Sequence, residues 1–206
     1  RDRVEIYDRS LDDELEAALE MQERVRGALS SDGFVLHYQP VMLLEGLVVV
    51  GAEALVRMRD GDSLLPPSAF LGQAESSGLI GEVGAWVLDR ALHDLAAWPG
   101  AMPPSSVGIN VSPSQLVRPG FADSVLDALD RHGIAPGRLV VEVTETALID
   151  RRAGGVDALH DLHSAGVLIA LDDFGTGYSS LAWLHELPVD IVKIDRGFVQ
   201  SMVVDH

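Results

Sequence analysis

The chain has 206 residues, 47% of them hydrophobic and 23% charged, a balance that supports one large apolar core. Its 32 acidic residues against 15 basic give a formal charge of -17, which argues against a protein that grips DNA or RNA by neutralising phosphates. Cysteine is absent, so disulfides, thiolate metal sites and cysteine nucleophiles are excluded, and any metal must be held by oxygen or imidazole.

In chain order, Ser10 to Leu29 reads as an amphipathic helix, with Leu11, Leu15, Ala18, Leu19, Val25 and Leu29 near helical spacing and Asp13 three residues after a Ser10 cap. From Phe34 onward, apolar strand-like runs alternate with helical stretches, the pattern of repeated βα units around a parallel sheet. The expected strands are Phe34 to Gln39, Val48 to Leu55, Val107 to Val111, Leu139 to Val143, Val167 to Leu171 and Ile191 to Ile194. The expected helices are Leu79 to Trp98, Phe121 to His132, Val156 to Ser164 and Ser179 to Glu186, with Gly133, Pro136, Gly166 and Pro188 as punctuation. No apolar run is long enough to span a membrane, and Arg1-Asp2-Arg3-Val4-Glu5 does not open a signal peptide.

Glu53, Asn110, Glu142, Asp172 and Lys193 each lie in or just after the distal half of an apolar strand. Parallel strands bring such residues to one rim, where a βα barrel carries its chemistry; an open doubly wound sheet fits the pattern as well. Glu53 sits inside the apolar run Gly51-Ala52-Glu53-Ala54-Leu55, so its carboxylate needs a cation or donors, and a salt bridge to Arg57 is one solution. Asn110 and Ser112 offer an amide and a hydroxyl at the next strand end, or simply cap the following turn. Glu142 is the inward candidate of Val141-Glu142-Val143-Thr144-Glu145, although a solvated polar strand face would look the same.

Asp172 and Asp173, adjacent at a strand end, repel each other unless cations intervene. Hard divalent ions would resolve that repulsion and could activate water on a phosphodiester, whereas a surface Asp-Asp turn is the plain alternative. Gly175-Thr176-Gly177 reads as a loop, and His160 and His163 as solvated helix residues. Lys193 and Asp195 share a strand face, either as an ion pair or with the ammonium serving the acidic cluster.

Together, Glu53-Ala54-Leu55, Asn110-Val111-Ser112, Glu142-Val143-Thr144-Glu145, Asp172-Asp173-Phe174-Gly175-Thr176-Gly177-Tyr178-Ser179-Ser180-Leu181 and Lys193-Ile194-Asp195 resemble EAL domains in order and spacing. Tyr38-Gln39-Pro40 and Ala74-Glu75-Ser76-Ser77-Gly78-Leu79-Ile80 extend the resemblance over residues 31 to 206. It implies an α/β fold, a modified TIM-like (β/α) barrel present here in six of its eight strands. It also implies hydrolysis of cyclic di-GMP to linear pGpG with two Mg²⁺ or Mn²⁺ ions. By the same resemblance, Glu53, Asn110, Glu142 and Asp172 match metal ligands, and Asp173 matches a ligand of the second ion. Lys193 matches the lysine beside the attacking water, so that Lys193, Glu53 and Asp172 carry the catalytic expectation. Gln39, Leu55 and Arg57 match substrate contacts, Glu145 with Thr176 the organisation of the loop after Asp173, and Asp195 an ion-pair or supporting position.

Met58 departs from the family's frequent Trp. The resemblance also implies two further motifs, Ala-Glu-Gly-Val-Glu and Gln-Gly-Tyr, after His206, so residues 1 to 206 alone are expected to be inactive. Arg1-Asp2-Arg3-Val4 resembles the last strand of a GGDEF domain and the Ser10 to Leu29 helix a connector, making residues 1 to 30 the end of a preceding domain. The chain is thus expected to be part of a longer cytoplasmic signalling protein, or of the cytoplasmic portion of a membrane-anchored one, with upstream GGDEF or sensor domains and pairing into a homodimer. The competing expectation is an inactive EAL domain that serves as a cyclic di-GMP receptor or protein-interaction module.

Overall fold

The computed structural model describes residues 9–98, 105–144, 155–175 and 187–204. They fall into two compact units, one made of residues 1–35 and 56–83, the other of residues 36–55 and 84–206.

In the first unit, helix α1 (Arg9–Ser30) buries Val25 and Ala28, whereas Leu15 and Leu19 on its earlier turns are exposed. The chain then enters strand β1 (Phe34–Met42) at the buried Phe34, whose ring lies 5.7 Å from that of Phe70. The last residues of β2 (Val49–Asp60) pair antiparallel with the short β3 (Ser63–Leu65), in register Met58 with Leu65 and Asp60 with Ser63. Gly61, at φ 57, permits the two-residue turn between them. Helix α2 (Leu71–Ser76) and the start of α3 (Ile80–Ala97) complete this unit with buried Ala74, Leu79, Ile80 and Val83.

The second unit carries the sheet, in the order β1-β2-β4-β5-β6-β7. Its later strands are β4 (Ser106–Asn110), β5 (Leu139–Thr144), β6 (Leu168–Phe174) and β7 (Ile191–Ile194), and every neighbouring pair from β2 to β7 is parallel. The architecture is α/β, and the six strands other than β3 are those expected from the apolar runs. Period-two alternation sets the faces: Ala52 and Ala54 of β2 are buried, while Glu53 and Leu55 point the other way and are half-buried. Leu139 to Val143 of β5 are all buried, as befits a strand flanked on both edges.

Helices α4 (Pro113–Leu116), α5 (Phe121–His132) and α6 (Gly155–Ser164) bury Leu116, Val125, Ala128, Leu129, Leu159 and Leu162, and α7 (Arg196–Val204) follows β7. Gly133, at φ 64, ends α5 in the left-handed conformation that releases the chain toward β5. The helix expected at Ser179 to Glu186 lies outside the described residues. No helix among the described residues is long and apolar enough to cross a membrane.

Register decides what reaches the rim. Ala54 stands beside Ile109, Asn110 beside Glu142, and Thr144 beside Asp172, so the distal ends of β2, β4, β5 and β6 finish together. Between β6 and β7 the pairing slips: Leu171 opposes Val192 but Phe174 opposes Ile194. Two residues, Asp172 and Asp173, therefore face the single Lys193, the arrangement of a β-bulge, and Asp173 takes φ 54 to make it.

Candidate functional site

Glu53 on β2, Glu142 on β5 and Asp172 on β6 converge so that one carboxylate oxygen from each lies within 4.8 Å of the others. Lys193 on β7 reaches into this group. Its Nζ donates to Glu53 Oε2 at 3.0 Å, to Asp172 Oδ2 at 3.1 Å and to Glu142 Oε2. Asn110 Nδ2 donates to Glu53 Oε1 at 2.8 Å, tying β4 to β2. Glu53 thus finds its cation in Lys193 across the sheet, where the local reading had offered Arg57, four residues along the same strand.

Three acids against one ammonium leave an excess of negative charge, and the pKa values register it. Burial, with Glu53 and Asp172 adding to it, pushes the Glu142 carboxyl above its usual range even though Lys193 opposes the shift. Burial alone would lower the Lys193 pKa, but hydrogen bonds and charges from Glu142 and Glu53 more than reverse this and hold the ammonium firmly protonated. Asp173 is raised by burial, then by Asp172 and Asp195. It lies outside the group of three and donates its backbone N–H to Asp172 Oδ1 at 3.0 Å.

The remaining expected residues are placed as follows. Gln39 on β1 is exposed, and Leu55 on β2 is half-buried two residues beyond Glu53. Arg57, in the first unit, donates from Nη1 to Val56 O at 2.8 Å. Asp195 forms no ion pair with Lys193; its Oδ1 accepts from Gly197 N at 2.8 Å at the start of α7, so it caps that helix. Glu145 and Thr176 lie outside the described residues. His160 is exposed, and His163 Nε2 meets Asp190 Oδ1 at 3.3 Å while Asp190 Oδ2 accepts from Ile169 N, a link between α6 and β6 well suited to structure.

Two contributors escaped the reading of the sequence. Gly108 has no side chain because a Cβ there would overlap Glu142 Oε1, so the buried carboxylate occupies the space a larger residue would take. Gln115, 6% exposed, accepts from Ser112 N at 3.1 Å just beyond Asn110. Neither has a signal in spacing, since each role depends on a residue from another element or on burial.

The donor set fits a divalent metal. Three carboxylates of separate strands supply hard oxygen ligands at one point, and their surplus negative charge is what such an ion neutralises; Asn110, whose amide nitrogen bonds Glu53, stands beside them.

Residues 22–206 match the EAL domain. The chain belongs to the EAL domain family. It is 38% identical over 201 residues to the bifunctional diguanylate cyclase/cyclic di-GMP phosphodiesterase MucR of Pseudomonas aeruginosa, covering 97% of this chain and 29% of that protein. It is 40% identical over 204 residues to the cyclic di-GMP phosphodiesterase NbdA of the same organism, covering 98% of this chain and 26% of that protein. The chain therefore spans little more than a quarter of these curated relatives. Among solved structures, the PaMucR phosphodiesterase in its c-di-GMP complex superposes with a TM-score of 0.83 at 39% identity, over 90% of this chain and 76% of that one. EAL domains adopt a TIM-like barrel, and the parallel sheet described above is an unclosed portion of that fold.

Proposed function

We propose that this EAL domain serves metal-dependent hydrolysis of cyclic di-GMP to linear pGpG. The observation that carries the proposal is the convergence of Glu53, Glu142 and Asp172 on Lys193, with Asn110 bonded to Glu53. The MucR and NbdA relatives, whose names record cyclic di-GMP phosphodiesterase activity, support it.

In this reading Glu53, Asn110, Glu142 and Asp172 hold one Mg²⁺ or Mn²⁺, and Asp173 contributes to a second. When bound, such ions polarise a phosphoryl oxygen and ease deprotonation of water near neutral pH. The chain's own residues orient the rest. Lys193, held protonated among the carboxylates it bonds, brings its positive charge beside the site where water and a phosphoryl oxygen would react, and would stabilise negative charge that develops there. Gln39, Leu55 and Arg57 are assigned to the dinucleotide, the guanidinium of Arg57 to a phosphate. Glu145 and Thr176 are assigned to ordering the segment after Asp173. In the same reading the domain works in the cytoplasm, as part of a longer signalling protein or of the cytoplasmic portion of a membrane-anchored one, and pairs as a homodimer.

The test is hydrolysis of cyclic di-GMP by the full-length protein in Mg²⁺, in Mn²⁺ and in excess chelator. Linear pGpG should appear with either metal and vanish in chelator; turnover undiminished in chelator would refute the metal assignment. Tight binding without turnover in all three would replace catalysis with the receptor reading. Glu53→Ala and Asp172→Ala should each lower kcat by more than the roughly 10–100-fold that changes behind a metal's ligands cost, because each removes a ligand outright.

A further inference from the structure

Asn110 is the one neutral member of the cluster, and besides its bond to Glu53 it depends on the backbone that carries it. Past Asn110 the chain leaves β4, passes Val111, whose N–H donates to Glu142 O at 2.9 Å, and enters α4 at Ser112. Ser112 N donates to the side-chain oxygen of Gln115 at 3.1 Å, and Gln115 N donates back to Ser112 O at 3.1 Å, so the turn is closed in both directions. Gln115 is one of two buried polar or charged residues among the described ones, the other being Glu142. Its amide nitrogen lies against α3 at Gly84, where any Cβ would overlap it. Glycine is a poor residue for a helix interior, and here its missing side chain leaves room for the amide.

From this geometry we infer that Gln115 is a positioning residue for the metal site. It rests against Gly84 and grips the backbone two residues beyond Asn110, and the amide of Asn110 is thereby held against Glu53. The inference rests on the metal reading given above. A Gln115 that only stabilised the fold would leave the ligand geometry alone once the protein is folded. A positioning Gln115 must act through Asn110.

The experiment measures Mn²⁺ affinity of the full-length protein without substrate, by electron paramagnetic resonance of free Mn²⁺, beside its melting temperature. Gln115→Met keeps the side-chain length and loses the acceptor, while Gly84→Ala leaves Gln115 in place and displaces its amide. Each should weaken Mn²⁺ binding about tenfold, the low end for groups that orient metal ligands. Asn110→Ala should weaken it too, and adding Gln115→Met to Asn110→Ala should cost nothing more, because both act through the same amide. Unchanged Mn²⁺ affinity in Gln115→Met and Gly84→Ala, with only the melting temperature lowered, would overturn the positioning role, as would full additivity with Asn110→Ala. A wild type that binds no Mn²⁺ would overturn the metal reading and this inference with it.

Discussion

A single ammonium faces three carboxylates in the Lys193 cluster, so removing it sets like charges against one another in a half-buried site. Lys193→Met should cost on the order of 3 kcal/mol of stability in chelator, the low end for breaking one side of a buried ion pair. Added Mn²⁺ should return part of that loss by neutralising the same oxygens. Thermal melts in both media check this, and equal destabilisation with and without Mn²⁺ would separate the lysine from the metal site. Gly108 makes a second, purely steric point. Glu142 Oε1 fills the space of a Cβ at Gly108, so Gly108→Val must drive the carboxylate out of the cluster. Mn²⁺ affinity should fall about as far as in Glu142→Ala, and a Gly108→Val protein that binds Mn²⁺ normally would show that Glu142 has another productive pose.

At the level of elements, α3 and α5 are joined by an acid on one and two basic groups in the last turn of the other. Asp89 Oδ1 accepts from Arg131 Nη1 at 2.8 Å and lies 2.9 Å from His132 Nε2. The hydrogen bond with His132 does most to hold the Asp89 carboxyl below its usual range; burial opposes it, and the hydrogen bond from Arg131 adds a smaller lowering. A folded-state pKa that is depressed contributes stability above the unfolded value of about 3.9 and loses it as pH falls through the folded value. Asp89→Asn should therefore melt below the wild type at pH 7, by less than about 1 kcal/mol because the pair is exposed, and the difference should close below pH of about 4. A gap that persists at pH 2 would mean that packing, not charge, joins the two helices. The six strands other than β3 were legible because each apolar-rich run begins within a few residues of a Gly or Pro. β3, α2 and α4 were not, since each holds at most two hydrophobic residues and so shows neither an apolar run nor a period. The rim residues were legible as acids stranded in apolar sequence. The bulge that sets Asp172 and Asp173 opposite Lys193 was not, because it belongs to the pairing of two strands and to neither alone.

Across the sheet of the second unit, β1 and β7 are the end strands among the described residues. β7 has four residues, with Ile191 37%, Val192 40% and Ile194 65% exposed, and the following helix shows Phe198 at 47% and Val199 at 51%. An apolar surface beside an unpaired strand edge is a template for pairing with another chain. The 206-residue chain should therefore bind a hydrophobic dye and self-associate through this edge. Ile194→Lys puts a charge on the edge strand where Ile194 faces water, and should reduce that self-association with little change in melting temperature. Sedimentation, dye binding and thermal melts on both proteins provide the check. A wild-type chain that stays monomeric and ignores the dye, or an Ile194→Lys protein that associates as strongly as the wild type, would show that the β7 edge is not the surface that pairs.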